Sequence, residues 1–160
     1  MLGITILCVG KIKEASIQSG CGEYVKRLGR YCKLTIIEVP DEKTPDKASE
    51  QLNEQIRSTE GQKLLRYIKE TDYVIALAIN GSMLDSPGLA ATMEELPLRG
   101  HSNLTYVIGG SLGLSEAVMK RADTSLSFSK MTFPHQLMRL LLLEQLYRAF
   151  KIIAHEPYHK

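Results

Sequence analysis

The sequence predicts an α/β fold, a three-layer arrangement in which helices cover both faces of a mostly parallel β-sheet. Short apolar runs alternate along the chain with longer stretches of helical character, which is the order expected for such a sheet. The first four runs are almost continuously apolar, and strands without polar alternation are buried on both faces. A length of 160 residues with 44% hydrophobic residues is typical of one soluble domain, expected to span residues 1–160.

The elements are predicted as five strand–helix pairs. The strands are expected at residues 4–9, 34–39, 73–79, 104–108 and 125–128. The helices are expected at about residues 14–30, 46–69, 86–96, 115–122 and 134–153. Gly20 and Gly22 lie inside the first helix, where each costs about 1 kcal/mol relative to alanine. The acidic segment 38–54 with Pro40 and Pro45 is expected to be a loop that enters a solvated helix.

The last helix is apolar on nearly all sides. One arc of its surface, at 100° per residue, holds Met138, Leu142, Leu143, Leu146, Ala149, Phe150 and Ile153. The opposite side carries Leu137, Leu140, Leu141 and Ile152 among polar residues. A helix of this kind is buried on two sides, and in a small protein the second side is expected to face a partner subunit. The pattern therefore predicts a homodimer with this helix at its interface.

Charge and cysteine content limit the class of protein. The formal net charge is only +2, but the two ends of the chain are basic and the middle is acidic. That distribution permits a nucleic-acid surface built from the termini, although a mixed solvated surface fits it as well. Cys8, Cys21 and Cys32 form no CxxC pair, so reduced structural thiols are expected. No apolar run is long enough for a membrane helix and no signal peptide is recognisable, which together predict a cytoplasmic protein without a membrane partner.

Three strand ends carry turn-forming sequences where a ligand site is expected. Ligands of open α/β sheets bind beyond the carboxyl ends of the strands. The three sequences that follow these ends are Asn80-Gly81-Ser82, the run from Gly109 to Gly113, and Ser129-Lys130-Met131-Thr132. The glycine sequence has the form GGxxG, so it lacks both the dinucleotide fingerprint and the Lys-Ser/Thr of a phosphate-binding loop. It is either a ligand loop or a tight turn.

The sequence from His155 to His159 matches HExxH, but it is not expected to bind zinc. This motif needs an unbroken helical turn that places both histidines on one face, and Pro157 ends or kinks a helix there. No metal site is predicted from the rest of the chain.

His135 and Arg139 lie at the start of the last helix, beside the third strand-end loop. Thr132 is expected to cap this helix, which places its positive N-terminal end next to that loop. His135 is a base, an RNA contact or a structural histidine. Arg139 falls in the middle of the apolar arc, so it either pairs with a carboxylate or faces an anionic ligand. The tail residues Tyr158 and His159 are either frayed or cover a site and stack a base.

Several motifs resemble the RlmH family, the large-subunit ribosomal RNA methyltransferases of the knotted SPOUT class. The resemblance rests on VIGGSLGL at 107–114, LSFSKMTFPHQLMR at 126–139, EQLYRAFKI at 144–152 and the ending PYHK. The N-terminal half contributes Val9-Gly10-Lys11, Glu23-Tyr24 and Glu38-Val39-Pro40. His155, where the family often has glycine, and the Gly20-Cys21-Gly22 segment depart from the family pattern.

The resemblance implies a C-terminal segment that threads a loop to form a deep trefoil knot, and a homodimer. It implies S-adenosylmethionine as the cofactor, with S-adenosylhomocysteine as the product and no metal. It also implies 23S rRNA as the substrate, methylated at N3 of a pseudouridine in an interface hairpin of the assembled ribosome. The cofactor residues that it implies are Leu77, Gly109, Phe128, Ser129, Lys130, Met131, Thr132 and Phe133.

Methyl transfer needs alignment of the reactants more than a protein nucleophile. His135, Arg139, Tyr158 and His159 are therefore expected to surround the target base, the tail residues coming from either subunit. Arg139 would hold a phosphate or the developing negative charge. Two other functions remain as alternatives: a nucleotide-binding or flavin-binding α/β dimer without activity, and a ribosome-associated factor that catalyses nothing.

Overall fold

Strands and helices alternate strictly along the computed structural model, which describes all 160 residues. The strands are β1 (Gly3–Val9), β2 (Lys33–Val39), β3 (Tyr73–Met83), β4 (Asn103–Ile108) and β5 (Thr124–Ser127). The helices are α1 (Ala15–Leu28), α2 (Glu50–Leu65), α3 (Ser86–Leu98), α4 (Glu116–Arg121) and α5 (His135–Ile153). All ten predicted elements are present, and the α/β prediction is confirmed.

The five strands form one parallel sheet in the order β2-β1-β4-β3-β5. Each connection contains a helix, as parallel pairing requires. All carboxyl ends of the strands therefore lie at the same edge of the sheet. The order of strands places β4 in the centre between β1 and β3, so the loop that follows β4 lies near the middle of that edge.

Two apolar cores lie on opposite faces of the sheet. The larger core packs the sheet against α1, α3 and α5, and the smaller packs it against α2 and α4. Within β1, Ile6 and Cys8 face the larger core while Leu7 and Val9 face the smaller one. Burial on both faces explains why these strands are apolar at consecutive positions.

The end of β3 was predicted wrongly. Asn80-Gly81-Ser82 was expected to be a turn after residue 79, but β3 continues to Met83. Both Leu77 and Ser82 pair with Leu126 of β5, so the strand bulges between them. A Cβ atom on Gly81 would lie 2.8 Å from the backbone nitrogen of Leu126. Glycine is present at this position because two backbones approach closely, not because the chain turns.

Helix α5 is buried mainly by its own chain. It packs against α1 and α3, and Leu140, on the side assigned to a partner subunit, lies over Gly20 of α1. A Cβ atom on Gly20 would stand 3.2 Å from Leu140, so this glycine makes room for α5. Leu137 and Leu141 are half-buried and are not packed against the larger core. Only this part of the second apolar side is left for a partner.

The three cysteines are free and buried, as predicted. Burial raises the pKa of the Cys8 thiol and of the Cys32 thiol to about 11, so both are protonated near neutral pH. They act as small apolar side chains of the core. None of the helices has the length and apolar character needed to cross a membrane.

Candidate active site

A cleft of about 940 Å³ opens at the carboxyl ends of β4 and β5, beside the bulged segment of β3. It lies where the crevice of an open α/β sheet is expected, and its volume is suitable for one small molecule. Its walls are mostly apolar, and His135 is the only ionisable side chain among them. The lining residues are Leu77–Asn80, Ile108–Leu114, Met119, Leu126, Phe128, Ser129, Met131–His135 and Met138.

The segment Gly109–Gly113, the glycine loop, forms one wall of the cleft. It is a tight turn in which the N–H of Gly113 donates to the carbonyl of Gly110 at 3.1 Å. A Cβ atom on Gly109 would lie 2.7 Å from the carbonyl carbon of Gly113, and Gly113 itself has a φ of +84°. Glycine at both positions lets the backbone fold back on itself and exposes its polar groups to the cleft. The loop is therefore a tight turn, and its place in the cleft wall leaves the ligand loop as a prediction.

Seven of the eight predicted cofactor residues line the cleft. They are Leu77, Gly109, Phe128, Ser129, Met131, Thr132 and Phe133. Lys130 does not line it. Two hydrogen bonds shape the loop after β5: Ser127 donates its hydroxyl to the carbonyl of Ser129, and the Met131 N–H donates to the hydroxyl of Ser129. Met131 remains 74% exposed at the rim.

The capping role predicted for Thr132 is wrong. Helix α5 begins at His135 with Pro134 as its N-cap residue, and no side chain accepts a hydrogen bond from its first turn. A proline has no hydroxyl or carboxylate to offer, while Thr132 lies in the cleft wall two residues before the N-cap position. The first turn of α5 is instead joined to the β1–α1 loop, because the Lys13 N–H donates to the side chain of Gln136 at 2.8 Å.

His135 is half-buried and faces the cleft. Burial lowers its pKa, and the positive charges of Arg139 and Lys13 act in the same direction, while Asp41 opposes them. A position at a helix N-terminus also disfavours a cationic ring. The imidazole is therefore neutral near pH 7 and able to accept a proton.

Arg139 does not face the cleft. Its guanidinium donates to Glu38 at 2.5 Å and to the carbonyl of Gly10 at 3.0 Å, and the residue is only 4% exposed. Of the two alternatives left open by the sequence, the structure shows the pairing with a carboxylate. Arg139 thereby fixes α5 to the carboxyl ends of β1 and β2. The contact with an anionic ligand that was expected for Arg139 is replaced by this ion pair.

The C-terminal tail is docked on α1 and α5. The ring of Tyr158 packs edge-on against Tyr147 at 4.9 Å, and its hydroxyl lies 3.4 Å from that of Tyr24. Arg148 lies over the ring of Tyr158 and contacts His159 at 3.1 Å. Burial raises the pKa of Tyr158 to about 12, so its hydroxyl is a hydrogen-bond donor at neutral pH. The tail is packed rather than frayed.

The tail residues are not brought to the cleft of their own chain. Tyr147, on which Tyr158 packs, follows His135 by twelve residues on α5, a separation of about 18 Å at 1.5 Å per residue. Of the four expected substrate-side residues, the structure places only His135 at the cleft.

The HExxH sequence does not form a helical turn. Helix α5 ends at Ile153, and His155 has a φ of +56° that turns the chain away from the helix axis. His155 and His159 therefore do not share a helix face. No group of three or more His, Cys, Asp or Glu side chains is arranged to hold a metal ion.

Several lining residues were not singled out as site residues from the sequence. Met119 reaches the cleft from α4 and Met138 from α5, and both are ordinary apolar positions of amphipathic helices. No local pattern separates such residues from the core. The remaining residues of the glycine loop, from Gly110 to Gly113, could have been included because the whole loop follows a buried strand.

The chain matches a family model described as "Predicted SPOUT methyltransferase" over residues 2–159. Among curated proteins, it is 59% identical over 159 residues to the ribosomal RNA large subunit methyltransferase H of Clostridium novyi, covering 99% of this chain and 100% of the relative. It is 58% identical over 157 residues to the protein of the same name from Bifidobacterium adolescentis, covering 98% and 99% of the two chains.

Solved structures share the fold at low sequence identity. A probable methylase family protein from Haemophilus influenzae aligns with a TM-score of 0.54 and 13% identity, over 100% of this chain and 72% of that one. A putative methyltransferase from Legionella pneumophila, solved with bound S-adenosylmethionine, aligns with a TM-score of 0.50 and 11% identity, over 95% and 66% of the two chains. At these identities the similarity concerns the fold.

Proposed function

The chain belongs to the SPOUT methyltransferase family, and we propose that it transfers a methyl group from S-adenosylmethionine to N3 of a pseudouridine in 23S rRNA. The substrate class follows from the name of the relatives, which are ribosomal RNA large subunit methyltransferases. The observation that carries the proposal is the cleft formed by the bulged segment of β3, the glycine loop and the loop after β5.

The cleft fits S-adenosylmethionine in size and in chemistry. Its apolar walls suit the adenine ring and the methionine chain, and the exposed backbone of the glycine loop offers hydrogen-bonding groups to polar parts of the ligand. The cofactor residues proposed are Leu77 and Gly109 with the loop from Phe128 to Phe133. Lys130 is part of that loop in the sequence, but it does not line the cleft.

When bound, the cofactor supplies a methyl group on a positively charged sulfur. The protein's task is to hold the acceptor nitrogen in line with the methyl–sulfur bond and to exclude water. No carboxylate lines the cleft, so no anionic side chain would stabilise the positively charged sulfur before the reaction. Methyl transfer removes the positive charge from the sulfur, and the proton released from the acceptor nitrogen carries that charge to the group that accepts it.

N3 of pseudouridine is a weakly acidic imide nitrogen that loses its proton during methylation. His135 is placed at the cleft and is neutral near pH 7, so we assign it the role of proton acceptor. Arg139 has an indirect role, because its contacts with Glu38 and Gly10 fix the start of α5, which carries His135.

We further propose a homodimer in which Tyr158 and His159 serve the cleft of the partner subunit. In their own chain they pack near Tyr147, which is about 18 Å along α5 from His135. Leu137 and Leu141, half-buried near the cleft end of α5, supply the apolar contact between subunits. The tail is held in a fixed position by Tyr147 and Arg148, so a neighbouring subunit would meet an ordered aromatic and basic surface.

The knotted topology implied by the resemblance is also part of the proposal. The chain leaves the edge strand β5, passes the ends of β3 and β4, and returns to β1, where Arg139 contacts the carbonyl of Gly10. This path runs beside the glycine loop, and a segment threaded there would bring the glycine loop, the loop after β5 and the bulged segment of β3 together. Such threading is rare in proteins.

Labelled S-adenosylmethionine and assembled ribosomes that lack the modification test the proposal. We expect label at N3 of one pseudouridine of 23S rRNA, and no transfer to ribosomes that already carry the methyl group. Deproteinised rRNA is expected to be a poor substrate, because a small and mildly basic protein depends on the shape of assembled RNA. Absence of label with a folded protein that binds ribosomes would favour a non-catalytic ribosome-associated factor.

A further inference from the structure

Glu60 is a buried carboxylate on a helix that is otherwise mostly solvated. Only four residues of α2 are buried, and Glu60 is one of them at 4% exposure. A glutamate is rarely buried in this way unless it is paired. Its burial therefore calls for a physical reason that the core packing of α2 does not supply.

One oxygen of Glu60 has a partner and the other has none. Oε2 accepts a hydrogen bond from the N–H of Glu42 at 2.9 Å, whereas Oε1 is inaccessible and unpartnered. The nearest cation, Lys63, is bound to Glu42 at 2.8 Å and to the carbonyl of Pro40 at 3.2 Å. Burial raises the pKa of Glu60; Asp41 and Glu42 act in the same direction, while Lys63 and the bond from the Glu42 N–H oppose them.

The unpartnered oxygen lies directly behind the glycine loop. A Cβ atom on Gly110 would be 3.2 Å from Oε1, so the carboxylate fills the space beside this glycine. Gly110 also lines the cleft. Gly110 is paired with Gly113 in an isolated antiparallel bridge, whereas the N–H groups of Ser111 and Leu112 donate to no backbone carbonyl. A buried acceptor without a donor thus adjoins backbone donors without an acceptor.

We propose that Glu60 is a positioning residue for the glycine loop: when a ligand fills the cleft, the backbone N–H of Ser111 turns onto Oε1. Glu60 then holds the glycine loop through one oxygen and the segment Pro40–Glu42 through the other. Ligand binding orders both segments together, although Glu42 does not line the cleft. This role rests on the proposed use of the cleft as the cofactor site.

Binding of S-adenosylhomocysteine to the wild-type protein and to Glu60→Gln, measured by calorimetry, is the first test. Glutamine keeps an acceptor for the Glu42 N–H but turns an NH₂ group toward the glycine loop, where it opposes another donor. We expect about tenfold weaker binding, the order of effect for one hydrogen bond to a charged acceptor. Glu54→Gln makes the same chemical change at an exposed position of α2 and should bind like the wild type.

Residue-resolved hydrogen exchange of the wild-type protein is the second test, and it needs no variant to fold. S-adenosylhomocysteine should slow exchange of the Glu42 amide about tenfold or more, since that amide donates to Glu60. The Leu52 amide, capped by Ser49 at the start of the same helix, should not respond. A carboxylate that only stabilises the fold would leave both amides unchanged.

The outcomes separate the two proposals. Equal affinities of the wild type and Glu60→Gln, or an unchanged Glu42 amide, would overturn the role of Glu60 and leave the cofactor assignment intact. Failure of the wild type to bind S-adenosylhomocysteine would overturn the cofactor assignment itself and, with it, the positioning of that cofactor by Glu60.

Discussion

At the residue scale, the ion pair between Arg139 and Glu38 is unequal in its exposure to water. The side chain of Arg139 is 5% exposed and that of Glu38 is 34% exposed. After loss of its partner, Glu38 would be hydrated, whereas Arg139 would remain a buried charge held only by the carbonyl of Gly10. Removing the partner of a buried charge is strongly destabilising.

Glu38→Ala should therefore destabilise the protein more than Arg139→Met. We expect a loss of about 3 kcal/mol in the free energy of unfolding for the former and about 1–2 kcal/mol for the latter, measured by urea titration. Glu116→Ala, which removes an exposed partner of Lys120, should change stability by less than about 0.5 kcal/mol. An equal or larger loss for Arg139→Met would show that water reaches the guanidinium.

His135 gives the protein a pH dependence whose sign follows from its lowered pKa. The folded state binds the proton less readily than the unfolded chain, whose histidine pKa is about 6.5. The contribution to stability is complete above that value and is lost as the pH falls through the lower pKa of the folded state. Urea titrations from about pH 8 to 5 should show the wild type losing stability relative to His135→Gln. Parallel curves would place the imidazole in water rather than at the cleft wall.

At the element scale, α2 and α4 touch so closely that one glycine is required between them. A Cβ atom on Gly61 would lie 2.2 Å from the hydroxyl of Ser115 and 2.9 Å from its Cβ. Ser115 caps α4, accepting from the N–H of Val118, so it cannot move without loss of the cap. In α1, by contrast, a Cβ atom on Gly22 would meet nothing within 4 Å.

Replacement of these two glycines by alanine should have opposite effects. Gly61→Ala should reduce the free energy of unfolding by about 1–3 kcal/mol, because overpacking outweighs the gain in helix propensity. Gly22→Ala should raise it by about 0.5–1 kcal/mol, because alanine restricts the unfolded chain and no contact is disturbed. Thermal and urea unfolding of both variants measure this, and stabilisation by both would contradict the close approach of α2 to α4.

The prediction of elements from the sequence succeeded where burial and local pattern agree. The strands were recognised because both of their faces are buried, and the strand-end loops because parallel strands end at one edge. The prediction failed at Asn80-Gly81-Ser82 because these residue types favour a turn, whereas pairing with β5 keeps the segment in the strand.

Contacts between distant parts of the chain could not be predicted from local patterns. Glu38 and Arg139 are 101 residues apart, and no local pattern links them. A glutamate such as Glu60 is typical of a solvated helix surface, and only the fold reveals that it is buried.

At the scale of the whole molecule, α5 connects the parts of the proposed machinery. Its first turn carries His135 at the cleft, its second turn is fixed to β1 and β2 by Arg139, and its last turns hold the tail. The apolar character that suggested a subunit interface is largely explained by packing against α1 and α3. The proposed subunit interface is therefore expected among the residues that this packing leaves free. Leu137 and Leu141 are two such residues, one helical turn apart.

Leu141→Glu should convert the proposed homodimer into monomers, because a carboxylate in an apolar interface is not solvated. Light scattering coupled to size-exclusion chromatography should give twice the chain mass of 17.9 kDa for the wild type and the mass of a single chain for the variant. Leu98→Glu, at an 85% exposed position of α3, is the matched control and should remain dimeric. If Tyr158 and His159 act on the partner's cleft, the monomeric variant should keep its affinity for S-adenosylhomocysteine but lose methyl transfer. A monomeric wild type, or a dimeric Leu141→Glu protein, would exclude this face of α5 as the interface.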